Sequence, residues 1–163
     1  NKIESNSALG VAMMAYSNMD YENAEFQFES IRSNFGNTSS ANTASYFLGK
    51  IAYKNSDFVN SSFHLNDFLN KSDDDILVCG AIKLLTEISL KNNNPEDALR
   101  NLDKAKNYKF SNSLILDLEL MKAFTFLNMD DSKAGKAILE KIENQKDLPS
   151  YLKQRLEELY GMI

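Results

Sequence analysis

The residues equipped for covalent or metal chemistry are few: one histidine, His64, and one cysteine, Cys79, in a chain of 163 residues. A metal centre needs several His, Cys or carboxylate ligands brought together, and a nucleophile needs a base to activate it. His64 stands between Phe63 and Leu65 without a second histidine or a nearby thiol, so it reads as a surface or partly buried side chain. Cys79 alone excludes an internal disulfide. The run Asp73-Asp74-Asp75 is dense in carboxylates, but a calcium loop alternates its acids and adds a glycine and a distal glutamate. Placed after Ser72 and before Ile76-Leu77-Val78, the run predicts a helix start with acids in its first turn. Asn37-Thr38-Ser39, Asn60-Ser61-Ser62 and Asn70-Lys71-Ser72 match the glycosylation sequon, as composition alone allows with 19 Asn. Lys104, Lys106 and Lys109 gather near a predicted helix end, where cations suit the helix dipole. No glycine-rich phosphate loop is present, and the expectation is a protein without metal, cofactor or enzymatic activity.

The bulk composition bounds the class. Gly and Pro number 6 and 2, and Val plus Thr number 7 against 20 Leu and 13 Ala, which excludes a turn-rich, β-branched sandwich or barrel. With 43% hydrophobic and 25% charged residues the chain forms one folded domain over residues 1–163. A net charge of −5 argues against a nucleic-acid partner, because such domains present a basic face. No stretch approaches 18 consecutive apolar residues, so any membrane anchor is expected upstream of Asn1.

These side chains are carried by a repeat. The phrase Asp20-Tyr21-x-x-Ala24 recurs as Asp57-Phe58-x-x-Ser61, Asn94-Pro95-x-x-Ala98 and Asp130-Asp131-x-x-Ala134, with small residues 37, 37 and 36 apart. Four residues later come Phe28, Leu65, Leu102 and Ile138; thirteen earlier come Val11, Leu48, Leu85 and Met121. Each copy reads as a helix A and a helix B around a polar turn, with repeats at about 5–36, 39–72, 74–109 and 111–145. Asp or Asn at the start of helix B suits an N-cap, and Pro95 suits the first helical position. After Pro149 a ninth helix, about 149–161, carries Leu152, Leu156, Leu159 and Tyr160 on one stripe, as a capping helix requires.

This pattern resembles the tetratricopeptide repeat family, best at Leu48-Gly49-Lys50-Ile51-Ala52-Tyr53 through Ser61 and next at Ala8 to Ala24. Thr86, Lys122 and Lys141 depart from the family pattern, which predicts displaced packing in the third and fourth repeats. The resemblance implies an all-α, right-handed α-solenoid of four helix pairs plus a C-terminal cap. It also implies a concave groove that takes a peptide or helix of a partner protein. Carried over by repeat position, the groove residues are Leu9, Met13 and Tyr16, then Tyr46, Phe47, Lys50, Tyr53 and Lys54, then Lys83 and Glu87. The lysines would steer an acidic partner. The family's carboxylate clamp for chaperone tails is missing: Leu9, Met13, Phe47, Gly80 and Leu84 hold its places. Asn34 through Leu69 is further similar to bacterial envelope proteins of the family, which implies the periplasmic side of an inner membrane, with the cytoplasm as the alternative. Self-association into a homo-oligomer, through the groove or the stripe of Leu152, Leu156 and Leu159, is the competing reading.

Overall fold

The computed structural model describes residues 1–72 and 74–163. Among the described residues there are nine α-helices and no strands. They are α1 (Lys2–Ser17), α2 (Tyr21–Phe35), α3 (Ser39–Lys54), α4 (Phe58–Leu69), α5 (Asp75–Lys91), α6 (Pro95–Asp103), α7 (Asn112–Asn128), α8 (Ser132–Glu143) and α9 (Ser150–Tyr160). One turn of 3-10 helix, Lys104–Asn107, continues α6. The chain forms two compact units, Asn1–Leu84 and Leu85–Ile163, divided within α5. In the first unit α1 packs on α2, α2 on α3 and α3 on α4; in the second, α6 packs on α7 and α7 on α8. Of the acidic run, Asp73 lies outside the described residues, while the Leu77 N–H donates to Asp74 Oδ1 at 3.0 Å near the start of α5.

The turn between helices A and B is built four times in one way. Met19, Ser56, Asn93 and Asp130 adopt left-handed backbone with φ of 63°, 61°, 53° and 58°. These positions are 37 apart throughout, and none is glycine. The following N–H reaches back five residues, from Asp20 to Ala15, Asp57 to Ala52, Asn94 to Ser89 and Asp131 to Phe126, at 2.9–3.0 Å. That is the longer bond of a Schellman C-cap, and it satisfies a carbonyl that the helix end would leave bare. The same Asp20, Asp57, Asn94 and Asp131 then cap helix B, accepting from the N–H groups of Asn23, Asn60, Asp97 and Ala134. One residue thus closes helix A with its backbone and opens helix B with its side chain.

This constant turn corrects the register of the fourth repeat. The sequence pattern placed Ala134 in the column of small residues, but Ala134 is half-buried and Gly135 is the buried one. A Cβ on Gly135 would come within 2.6 Å of Leu127 Cδ2. The spacing is therefore 37 in every repeat, and the two apparent misfits disappear. Ala123 and Ile142, both buried, hold the places assigned to Lys122 and Lys141. Leu139, fully buried, likewise replaces Ile138 in the series Phe28, Leu65 and Leu102.

Small residues decide how closely the paired helices approach. A Cβ on Gly49 would lie 2.7 Å from Leu65 Cγ, and Ser61 of α4 donates its hydroxyl to the Gly49 carbonyl at 2.8 Å. In the second unit Leu116, Leu120, Leu127, Leu139 and Ile142 form a core with Leu152, Leu156 and Leu159 of α9. The capping stripe is consumed by its own chain, which removes it as a surface for a second copy.

Two substitutions separate turn strain from packing. Met19→Gly relieves a left-handed conformation that disfavours a side chain, and the exposed Met19 side chain gives up little packing. It should raise stability by about 0.5–1 kcal/mol after the entropy of glycine is subtracted, read as a higher urea midpoint. Gly49→Leu drives a side chain into Leu65 and should lower stability by about 1–3 kcal/mol in the same titration.

Candidate functional site

The first unit gathers aromatic rings and lysines where α1, α2 and α3 meet. Lys50 of α3 is half-buried, and its Nζ lies 5.5 Å from the Tyr16 ring centre, 5.7 Å from Tyr46 and 5.6 Å from Phe47. One turn on, the exposed Lys54 holds its Nζ 4.9 Å over Tyr21. The rings also hold one another: Tyr16 meets Tyr21 and Phe47 edge-on, and Phe28 stacks on Phe47 at 5.4 Å and 12°. Such cation–ring contacts contribute about 0.5–2 kcal/mol each, more as water is excluded. Among the described residues neither Lys50 nor Lys54 is paired with a carboxylate.

Of the groove residues expected from sequence, Tyr16, Tyr46, Phe47 and Lys50 come together here. Tyr46 and Phe47 are only 7% and 8% exposed, so they form the floor of the cluster. Burial, followed by the neighbouring Tyr16, pushes the Tyr46 phenol up to about 12. Its hydroxyl occupies the space above Gly80 that a Cβ there would fill, which explains the glycine in α5. Leu9 and Met13 are half-buried on α1, one turn apart on the side that carries Tyr16. Tyr53 packs on Phe58 at 5.8 Å. Lys83 and Glu87 are half-buried on α5 and fall in different units. Tyr21 and Phe28 were not foreseen. They sit on a B helix, whereas the expected groove took only A helices.

A polar network lies elsewhere in the same unit. Asp67 of α4 accepts from Arg32 Nη2 at 3.4 Å, Ser45 Oγ at 3.1 Å and Lys71 Nζ at 2.7 Å. Arg32 Nη1 is also 3.1 Å from His64 Nδ1, and His64 Nε2 is 3.7 Å from Glu29. A cavity of about 140 Å³ beside this network is lined by Arg32, Asn42, Ser45, Asp67 and Lys71. Burial pushes the Asp67 carboxyl up, but the bonds from Lys71 and Ser45 together with the Lys71 and Arg32 charges hold it below its ordinary value. The carboxylate already answers both cations, so the network ties α2, α3 and α4 together and leaves little charge for a ligand.

The second unit has a related cleft of about 210 Å³ whose lining includes Lys106, Phe110, Ile115 and Glu119. Those four residues are 74 positions, or two repeats, beyond Arg32, Gly36, Ala41 and Ser45 of the polar cavity. The same place between successive repeats is thus polar in one unit and largely apolar in the other. No group of three or more His, Cys, Asp or Glu side chains among the described residues is arranged to hold a metal ion. No described helix is long and apolar enough to cross a membrane.

Paired helices at a constant spacing, with small residues at the crossings, are what the tetratricopeptide unit is made of. A model of the tetratricopeptide repeat-like domain matches residues 1–119. The chain belongs to the tetratricopeptide repeat-like family. The match ends inside α7, and the turn at Asp130 carries the same geometry beyond it. No curated protein and no solved structure matches the chain. Domains of this tetratricopeptide repeat-like kind commonly mediate protein interactions and are typically non-enzymatic.

His64 gives the polar network a pH dependence. Burial, followed by the Arg32 charge, holds its imidazole below the ordinary value. The unfolded chain then takes up the proton first, so stability falls as pH drops through about 6.5. Urea midpoints should decline between about pH 7 and pH 5, and His64→Gln should flatten that decline. Asp57 and Asp67, both held low, add a separate loss below about pH 4.

Proposed function

We propose that this protein is a non-enzymatic binding module that takes an acidic, partly apolar peptide or helix of a partner protein on the Lys50–Lys54 face of its first unit. One observation carries the reading: two lysines of an acidic chain rest against aromatic rings and have no carboxylate partner of their own. A lysine of purely structural use would be expected to meet an acid, as the exposed Lys71 meets Asp67 at 2.7 Å. The rings fix the ammonium groups in place and supply apolar surface beside them, so a carboxylate and an aliphatic side chain can be held together. Tyr16, Tyr21 and Tyr53 are the half-buried aromatics available for contact, and Tyr46 and Phe47 support them from below. The likeness of Asn34 through Leu69 to envelope repeat proteins supports seeking that partner among proteins assembled or transported in a bacterial envelope.

Selection of displayed random peptides against the chain tests this directly. Acidic sequences with spaced aliphatic residues should be enriched and should bind more weakly as salt is raised. Lys50→Glu with Lys54→Glu should weaken them at least tenfold while helical circular dichroism is unchanged. Tight peptides that ignore both substitutions would place recognition elsewhere.

A further inference from the structure

The outer face of α2 and α4 carries an apolar patch that the repeat itself does not require. Phe26 on α2 is 75% exposed, and Val59 and Phe63 on α4 are 82% and 61% exposed. Phe26 and Phe63 hold one place in the repeat, and Glu22 and Val59 hold the place one turn before it. In the next two repeats these places carry Arg100 and Ala137, and Glu96 and Lys133, all of them exposed. The position therefore faces solvent in every repeat and is aromatic only in the first two. A preceding helix does not cover it, because Phe63 stays exposed with the whole pair α1 and α2 ahead of it in the same unit. The exposed stripe of Ile3, Val11 and Met14 on α1 is a different case: its counterparts Ser40, Leu48 and Ile51 are buried where α2 packs on α3.

Side-chain contacts join the two aromatics into one surface. Arg32 of α2 lies 6.0 Å from the centre of the Phe63 ring. Glu29 Oε1 is 3.7 Å from Nε2 of His64, whose ring is 5.3 Å from that of Phe63. Glu29 in turn stands three residues from Phe26, one turn along the same helix face. The order across the two helices is Phe26, Glu29, Phe63. Phe28 is turned about 200° from Phe26 and stacks on Phe47, so the Lys50–Lys54 face lies on the other side of α2.

Charge decides what can land there. Between Asn18 and Ile31 the chain holds Asp20, Glu22, Glu25 and Glu29 and no Lys or Arg, and α4 holds none either. Among the described residues Glu22 and Glu25 meet no cation. Glu29 is met only at 3.6 Å by Arg32 and 3.7 Å by His64, beyond hydrogen-bond length. Arg32, at the edge of the patch, is also answered by Asp67. Aromatic rings rimmed by open carboxylates repel an anionic membrane surface or a nucleic acid. They suit a protein segment that is apolar and basic at once. The order aromatic, carboxylate, aromatic is matched by a helix with apolar residues at i and i+7 and a Lys or Arg at i+3 or i+4, because those positions share one helix face.

We propose that the outer face of α2 and α4 docks a basic amphipathic helix of a partner protein. Its apolar side chains rest on Phe26 and on Phe63 with Val59, and its cations meet Glu22, Glu25 and Glu29. The first unit then has two faces of opposite preference, lysines among rings for an acidic segment and carboxylates among rings for a basic one. One helix laid across two falls at the small end of interface sizes, so binding is weak and falls as salt is raised. This face stands or falls independently of the Lys50–Lys54 face.

The probe is a synthetic helical peptide with Leu at i and i+7 and Lys at i+3 and i+4, beside a control of the same composition in scrambled order. Titrated into the isotope-labelled chain, the ordered peptide should shift the backbone amide signals around Phe26 and Phe63, with a dissociation constant between about 10 µM and about 1 mM. The scrambled peptide should bind at least tenfold more weakly. Phe26→Ala with Phe63→Ala should weaken the ordered peptide at least tenfold with unchanged circular dichroism, since Ala137 already stands at that place in the fourth repeat. Glu22→Lys with Glu25→Lys should weaken it as much, whereas Lys50→Gln with Lys54→Gln should change it by less than about twofold. Equal binding of the scrambled peptide, which charge alone would give, overturns the proposal, as does binding indifferent to the two Phe substitutions. A dimer of the chain alone that Phe26→Ala with Phe63→Ala dissolves, read by sedimentation equilibrium, overturns it too, because a second copy would then be the occupant.

Discussion

The turn joining each pair of helices is made with left-handed backbone at residues that are not glycine, and the remaining structure depends on it. A methionine, a serine, an asparagine and an aspartate hold φ near +60° at one place in the repeat. L-residues resist that conformation by about 1–2 kcal/mol each, so surrounding bonds must impose it. They do so twice over, since the next residue donates back into helix A and caps helix B with its side chain. With both ends of the turn tied, helix B leaves at a constant place in every repeat. Its fourth residue, Ala24, Ser61, Ala98 or Gly135, then falls at a buried position where little more than a methyl or hydroxyl can be accommodated.

The candidate site is a consequence of that stacking. Lys50 reaches Tyr16 of the preceding repeat because α1 and α3 are brought together around α2. Lys54 reaches Tyr21 because the last residue of α3 comes beside the first residue of α2. The buried floor of Tyr46, Phe47 and Phe28 does the work of cohesion, while Lys50 and the half-buried tyrosines stay partly open at its rim. The Arg32–Asp67–Lys71 network shows the opposite use of charge, with each cation answered inside the unit. Two regions of one unit thus differ in whether their cations meet a carboxylate.

Most local features were legible in the sequence to within two residues, although α1 starts at Lys2, three residues before the first repeat was expected. The nine helices, the Asp and Asn N-caps and Pro95 at the start of α6 all arise from contacts three or four residues apart, and side-chain type alone specifies them. The small residue at Gly49 was legible through the family resemblance, since Thr86 and Lys122 stood in its column as the repeats were read. The fourth repeat was misread by one position because Ala134 resembles the other small residues more than Gly135 does. The constraint that sets its register is the backbone angle of Asp130, and side-chain identity does not reveal that angle.

What the sequence determined by itself was an all-helical array of paired helices with a closing helix, because helix periodicity, capping and the repeat of small residues are written in neighbouring letters. Only the tertiary structure decided which of its side chains are available. Tyr46 and Phe47 turned inward while Lys50 stayed partly open; Asp67 found Arg32 from 35 residues away; the stripe of α9 was covered while that of α1 was left bare. Those outcomes depend on which helix lies against which, a long-range matter. An apolar stripe looks the same in sequence whether its own chain covers it or leaves it bare.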